Sequence, residues 1–157
     1  MKIQPIGTIH SPFTKLENMP IQPTGASNIK GTVEVLEDFA EGLQDLDGFS
    51  HIILLYVFHK SQGFRLRVYP FMDTVLRGVF ATRAPKRPCP IGMSVVRLEK
   101  VVGRVLHVDG VDILDGTPLI DIKPYVPAFD PRGEVRTGWL EKSNNTAPGT
   151  RSDDRFK

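Results

Sequence analysis

The stretch Met93-Ser-Val-Val-Arg-Leu-Glu-Lys-Val-Val102 decides the fold class. Val96, Leu98 and Val102 fall on one side of an extended chain and Arg97 and Glu99 on the other, the step-two alternation of a half-buried strand. Upstream, His51-Ile-Ile-Leu-Leu-Tyr-Val-Phe-His59 is a continuous apolar run rich in β-branched and aromatic residues, and it reads as a strand buried on both faces. Shorter strand candidates, each bounded by Gly, Pro, Asp or Asn, are 3–9, 31–36, 66–69, 78–81, 104–108 and 119–122. Only 37–46 has apolar residues at helical spacing (Phe39, Leu43, Leu46), and Gly42 weakens it. Short strands, little helix, 14 Gly and 13 Pro together predict an all-β protein: a sandwich or small barrel rather than a doubly wound sheet.

At 157 residues the chain fits one domain. The expectation is a single β-domain over 1–140 followed by a polar tail, 141–157, without periodicity and poorly ordered. The longest apolar run, 52–58, is far short of the roughly 20 residues of a membrane helix, and the N-terminus lacks a signal-peptide pattern. Those features predict a soluble, cytoplasmic protein that does not engage a membrane. A single cysteine, Cys89, forbids an intramolecular disulfide and suits a reducing compartment.

The formal net charge of +2 conceals an uneven distribution. Residues 1–59 hold three basic and seven acidic side chains, residues 60–104 ten basic and two acidic, and residues 105–157 seven basic and nine acidic. A basic middle of this kind is either a footprint for a polyanion or a scatter of solvated charges. Within it, Thr82-Arg-Ala-Pro-Lys-Arg-Pro-Cys-Pro-Ile-Gly-Met-Ser94 carries Pro85, Pro88 and Pro90, which exclude helix and central strand and make a stiff loop. Arg83, Lys86 and Arg87 ride on that loop, as an anion seat that loses little entropy on binding or as an exposed connector.

Val108-Asp-Gly-Val-Asp112 sets two carboxylates three apart in a bend, where they accept ribose hydroxyls or an amine, or simply form Asx-turns. Leu114-Asp-Gly-Thr-Pro-Leu119 reads as a turn into the next strand. In Asp121-Ile-Lys-Pro-Tyr125 the alternation puts Asp121, Lys123 and Tyr125 on one face, with Pro124 suggesting a sheet edge. The four histidines show no metal-binding spacing, and no metal site is expected. His59 reads as a residue at a sheet rim, and Cys89 as packed or incidental rather than a nucleophile. There is no phosphate-binding P-loop, dinucleotide fingerprint or nucleophile elbow.

Taken in order, Pro5-Ile-Gly-Thr-Ile-His-Ser-Pro-Phe13, Met19-Pro-Ile-Gln-Pro23, Leu46-Asp-Gly-Phe-Ser-His51, Tyr56-Val-Phe-His59, Gly78-Val-Phe-Ala-Thr-Arg83, Arg87-Pro-Cys-Pro-Ile-Gly-Met-Ser94 and Asp115-Gly-Thr-Pro-Leu-Ile-Asp-Ile-Lys-Pro-Tyr125 resemble the TsaA-like family over roughly 3–130. The resemblance implies a small β-barrel of short, mainly antiparallel strands, active as a homodimer with its cofactor near the subunit interface. It implies an S-adenosyl-L-methionine-dependent methyltransferase acting on N6 of N6-threonylcarbamoyladenosine, position 37, just 3′ of the tRNA anticodon. Residues implied at the cofactor are Pro20, Ile21, Gln22, His59, Lys60, Arg83, Met93, Asp109, Gly110, Val111 and Asp112. Asp121, Lys123 and Tyr125 are expected beside the transferred methyl group, as proton acceptor or anion stabiliser. Arg65, Arg67, Lys86 and Arg87, with Tyr69, are expected to meet the single-stranded anticodon loop.

The chain departs from the family pattern in places. Ile21 stands where an arginine is usual, Lys60 replaces a glutamine, Cys89 replaces an asparagine, and the C-terminal domain of longer members has no counterpart after about residue 140. Two other readings stay open at this level: a methyltransferase of the same barrel acting on a small molecule or a protein, and a non-catalytic RNA-binding barrel.

Overall fold

The computed structural model describes residues 2–21, 23–129, 133–142 and 149–153. Its strands are β1 (Gly7–His10), β2 (Lys30–Val35), β3 (His51–Val57), β4 (Arg67–Val68), β5 (Arg77–Gly78), β6 (Ile91–Val102), β7 (Val105–Asp109) and β8 (Thr117–Pro124). Six of them close into a barrel in the order β1-β2-β7-β6-β3-β8, with β8 pairing back onto β1, while β4 and β5 form a separate two-stranded ribbon. Every pairing is antiparallel. The fold expected from the alternation is therefore the fold observed. Among the described residues no helix is long and apolar enough to cross a membrane.

The alternation works as written at Val96 and Leu98, which point into the barrel core with Ile9, Val33, Ile52, Leu54, Leu106, Val108 and Leu119. It fails at Val102, which is exposed while Val101 packs against the core. A bulge between Leu98 and Lys100 explains the failure, because one extra residue exchanges the inward and outward sets beyond it. A second bulge, where Leu55 faces Asp121 but Tyr56 faces Leu119, does the same in β8.

β3 is not buried on both faces. Ile52, Leu54 and Tyr56 are buried, and Ile53, Leu55 and Val57 are half-covered on the outside of the barrel. Pro124 ends a strand of the closed barrel and pairs with Ile52 of β3, while β1 pairs only with residues 117–119, so the other side of β8 is open at Pro124 as its proline suggests. The helix expected over 37–46 is a 3-10 turn, Glu37–Leu43, followed by Asp45 in the left-handed region (φ 64°), which ends it before Leu46. Phe39, Leu43 and Leu46 still pack on the core, so the helical spacing served to cap the barrel. Of the expected strand 78–81 only Gly78 is extended, and Val79–Ala81 is another 3-10 turn.

Residues 58–90 form an excursion between adjacent strands β3 and β6. Val57 pairs with Ile91, and the Phe58 N–H donates to the Pro90 carbonyl at 2.8 Å, so the excursion leaves and returns at one point. It has a small core of its own, Val68, Val79 and Ala84. Of the expected tail, 143–148 and 154–157 lie outside the described residues, whereas Arg151 bridges Pro20 and Ser152 bonds to the backbone around Met19.

Candidate functional site

Between the excursion, the loop preceding β2 and the β3–β6 wall lies a cleft of about 1670 Å³. Pro20, Ile21, His59, Lys60, Arg83, Met93, Asp109, Gly110 and Asp112 all line it, although they come from five separate stretches of chain. Gln22 lies outside the described residues. Val111 is not on the wall: it is fully buried in the core. That burial shapes the bend, since the Gly110 and Val111 N–H groups donate to the Ile29 carbonyl (3.0 and 3.2 Å) and Gly110 takes φ 90°. With Val111 anchored inward, Asp109 and Asp112 flank the plug and reach the cleft.

Asp112 ends a polar chain that sequence reasoning missed. The Tyr56 hydroxyl lies 3.0 Å from Ser94 Oγ, and Ser94 in turn donates to Asp112 Oδ1 at 2.7 Å. Desolvation pushes the Asp112 carboxyl up to about 6, against the Ser94 hydrogen bond and the positive charge of Arg83. Burial likewise pushes the Tyr56 phenol up, with the Asp112 charge adding to it. The ring of Tyr56 lies over Gly92, where any Cβ would overlap it. A signal was present in the sequence: Gly92 and Ser94 occupy inward positions of a strand whose other inward residues, Val96 and Leu98, are apolar. A small residue and a hydroxyl there make room and a partner for a polar side chain across the sheet.

Asp109 is 8% exposed and accepts hydrogen bonds at Oδ2 from Arg97 (2.9 Å) and Lys30 (3.2 Å). Those two cations, Arg97 foremost, hold its carboxyl below the usual range. Glu99 closes the cluster by pairing with both Lys30 and Arg97. Asp109 Oδ1 is buried without a hydrogen-bond partner among the described residues, which leaves an acceptor in the cleft wall in need of a donor. His59 is half-buried, 3.3 Å from Thr117 Oγ1, and burial followed by the charge of Lys60 lowers its pKa. It is more enclosed than a rim residue.

Asp121, Lys123 and Tyr125 do not line the cleft. They occupy the outer face of β8 and its end, and Lys123 pairs with Asp121 at 2.7 Å. Strand register locates them: Met93, Leu55 and Asp121 form one cross-barrel row, Val95, Ile53 and Lys123 the next. In the third, Arg97 faces His51, whose carbonyl accepts from the Tyr125 N–H at 3.1 Å and whose ring meets the Tyr125 ring edge-on. The trio thus stands one strand beyond the β3–β6 wall, roughly 5 Å, and Tyr125 touches His51, which itself lines the cleft.

Arg65 and Arg67 are exposed on the excursion, and the Arg65 N–H donates to the Lys86 carbonyl, which joins them to the proline-rich loop. Arg87 is half-buried, donates to the Thr82 carbonyl at 3.1 Å and also lines the cleft. Cys89 is exposed on the cleft, not packed.

The profile of the tRNA-methyltransferase O N-terminal domain matches residues 8–131. The chain belongs to that family. Within the tRNA-methyltransferase O family, a relative from Pyrococcus abyssi named a probable S-adenosyl-L-methionine-binding protein is 56% identical over 98% of this chain and 83% of its own length. The mouse protein named tRNA (adenine(37)-N6)-methyltransferase is 37% identical over 81% of this chain, which corresponds to only 31% of that protein. The crystal structure of TrmO from Pseudomonas aeruginosa superposes with a TM-score of 0.74 at 42% identity, covering 88% of this chain and 62% of that one.

Proposed function

We propose that this protein is an S-adenosyl-L-methionine-dependent tRNA methyltransferase, and that its target is N6 of N6-threonylcarbamoyladenosine at position 37. The observation that carries the reading is the convergence of nine of the eleven expected cofactor residues on one cleft in a chain of this family. The cleft also suits the cofactor chemically. Asp109 Oδ1 needs a donor, which a ribose hydroxyl or an ammonium group supplies. Arg83 and Lys60 suit a carboxylate, and Phe58, Phe71 and Phe80 give flat apolar surface for an adenine.

When bound, S-adenosyl-L-methionine supplies a methyl group on a sulfonium, open to in-line attack. The task left to the chain is to hold the nucleophile roughly 3 to 3.5 Å away and in line. The target nitrogen must also lose its proton, and its lone pair is delocalised into the carbamoyl group, so a proton acceptor accelerates the step. Asp121 or Tyr125 fills that role, with Lys123 or Arg87 stabilising the developing negative charge. Since Asp121, Lys123 and Tyr125 lie outside the lining of their own cleft, a homodimer fits the chemistry. The outer faces of β3 and β6, with Ile53, Leu55 and Met93, give the apolar strip on which a second copy would pack. Arg65, Arg67, Lys86 and Arg87 then meet the anticodon loop in the cytoplasm.

Calorimetry with S-adenosyl-L-methionine tests the cofactor, and no heat of binding to the folded protein refutes the enzyme reading in favour of an RNA-binding barrel. Mass spectrometry of tRNA nucleosides from a deletion strain tests the substrate. Loss of the N6-methylated threonylcarbamoyl nucleoside is expected, and its persistence points to another substrate.

A further inference from the structure

The loop joining β1 to β2 spans 11–29, and its middle supplies Met19, Pro20 and Ile21 to the cleft. A connection of that length is ordered only where something ties it down. The tie is made from beyond residues 8–131, the part that matches the family profile. Ser152 lies antiparallel to the loop: its carbonyl accepts from the Asn18 N–H (3.0 Å) and its N–H donates to the Met19 carbonyl (2.8 Å). Its hydroxyl accepts from the Met19 N–H (2.9 Å) and donates to the Leu16 carbonyl (2.5 Å). Arg151 completes the pairing with a bridge to Pro20. Every polar atom of Ser152 is thereby spent on residues 16–19.

The same C-terminal segment grips the opposite bank of the cleft. The Trp139 indole N–H donates to the Ala81 carbonyl at 2.8 Å, and the Arg77 guanidinium lies 5.6 Å over its ring. Trp139, Leu140, Ser152 and Asp153 all line the cleft. Trp139 thus touches the excursion, and Arg151 and Ser152 touch the loop before β2.

We infer that Ser152 is a positioning residue for the cofactor cleft, acting through Met19, Pro20 and Ile21, and that residues 139–142 and 149–153 clamp the two banks together. This rests on the cofactor reading above. Preorganisation is the physical gain: a loop already ordered loses less entropy when a ligand binds against it.

The test uses the full chain with Ser152→Ala, Ser152→Pro and Ser152→Thr. Alanine removes the two hydroxyl bonds, proline removes those and the N–H donor, and threonine restores the hydroxyl. Calorimetric Kd for S-adenosyl-L-methionine is expected to rise about threefold with alanine and about tenfold or more with proline, and to return close to wild type with threonine. Independently of ligand, amide exchange at Asn18 and Met19 is expected to quicken in the alanine variant while amides of β3 and β6 keep their protection. Alanine and proline variants that are folded and bind as wild type overturn the clamp alone. Failure of the wild-type protein to bind overturns the cofactor reading and the clamp with it.

Discussion

The barrel and the excursion at 58–90 contribute opposite walls to one cleft and are built on different terms. The barrel has six mutually paired strands around a continuous apolar core, so its acidic residues Asp109 and Asp112 are fixed by register, by the Val111 plug and by hydrogen bonds to Ser94 and Arg97. The excursion has two strands of two residues each, a core of three side chains, and stiffening prolines in place of a hydrogen-bonded sheet. It carries three of the cleft's cations, Lys60, Arg83 and Arg87, beside Arg97 of the barrel, and it exposes Phe64, Leu66, Tyr69 and Phe80. Rigid acids and loosely supported cations suit a site that must hold one ligand firmly and let a large one in and out. Local opening belongs to regions with few buried contacts.

The comparison can be broken most forcefully in the core. Leu54→Ala, at a fully buried barrel position, is expected to cost about 2–5 kcal/mol of global stability in urea denaturation. Val79→Ala, equally buried but in the excursion, is expected to cost no more than about 1 kcal/mol globally and to weaken cofactor binding instead. Equal losses of stability would show that the two regions unfold as one.

Arg83→Glu is expected to raise the calorimetric Kd for S-adenosyl-L-methionine by about tenfold or more, equivalent to about 1.4 kcal/mol, without changing circular dichroism. Wild-type affinity in this variant would remove Arg83 from the site. A smaller effect tests the cations further out. If Arg65, Arg67, Lys86 and Arg87 each meet a phosphate of a single-stranded loop, tRNA affinity should fall with salt at a log–log slope of about −3, and replacing Arg65 and Arg67 by alanine should flatten it by about 1.4. A slope near zero would confine the excursion to small ligands.

The smallest effect concerns the barrel wall. Asp112 titrates at about 6 in the fold and near its ordinary 3.8 when unfolded, so the folded state binds the extra proton between those values. Its contribution to apo-protein stability is full below about pH 4 and is lost as pH rises through 6. His59, with its lowered pKa, works in the opposite sense over the upper part of this window, as its protonation disfavours the fold. Comparing wild type with Asp112→Asn in thermal melts from pH 5 to 7 isolates the carboxyl. The variant should lack the component that falls with rising pH, and identical profiles would show that Asp112 is solvated.

Much of this was legible in the residues. Alternation in β6 gave the strand type because each side chain there answers to one local rule, and the ordered set of motifs gave the family. Two bulges were not legible, since the extra residue is fixed by pairing with a partner strand rather than by its own type. That is why Val102 was misplaced. Val111 was drawn into the cofactor set by its neighbours, although an apolar residue between two aspartates is well suited to be their anchor. Tyr56 and Ser94 escaped notice because each looks ordinary in its own strand, and only the β3–β6 register brings them together. Ser152 lies 133 residues from Met19, a distance over which no sequence pattern operates.

The fit of the Tyr56 ring over Gly92 carries a consequence for how this sequence can drift. Adding a methyl group at position 92 forces the ring aside and takes its hydroxyl away from Ser94; trimming the ring first, as in Tyr56→Leu, frees the space but discards the hydroxyl. Either single step is deleterious on its own, whereas the double change is tolerable for folding. Among relatives of this chain, the two positions should therefore mutate as a pair or stay as they are.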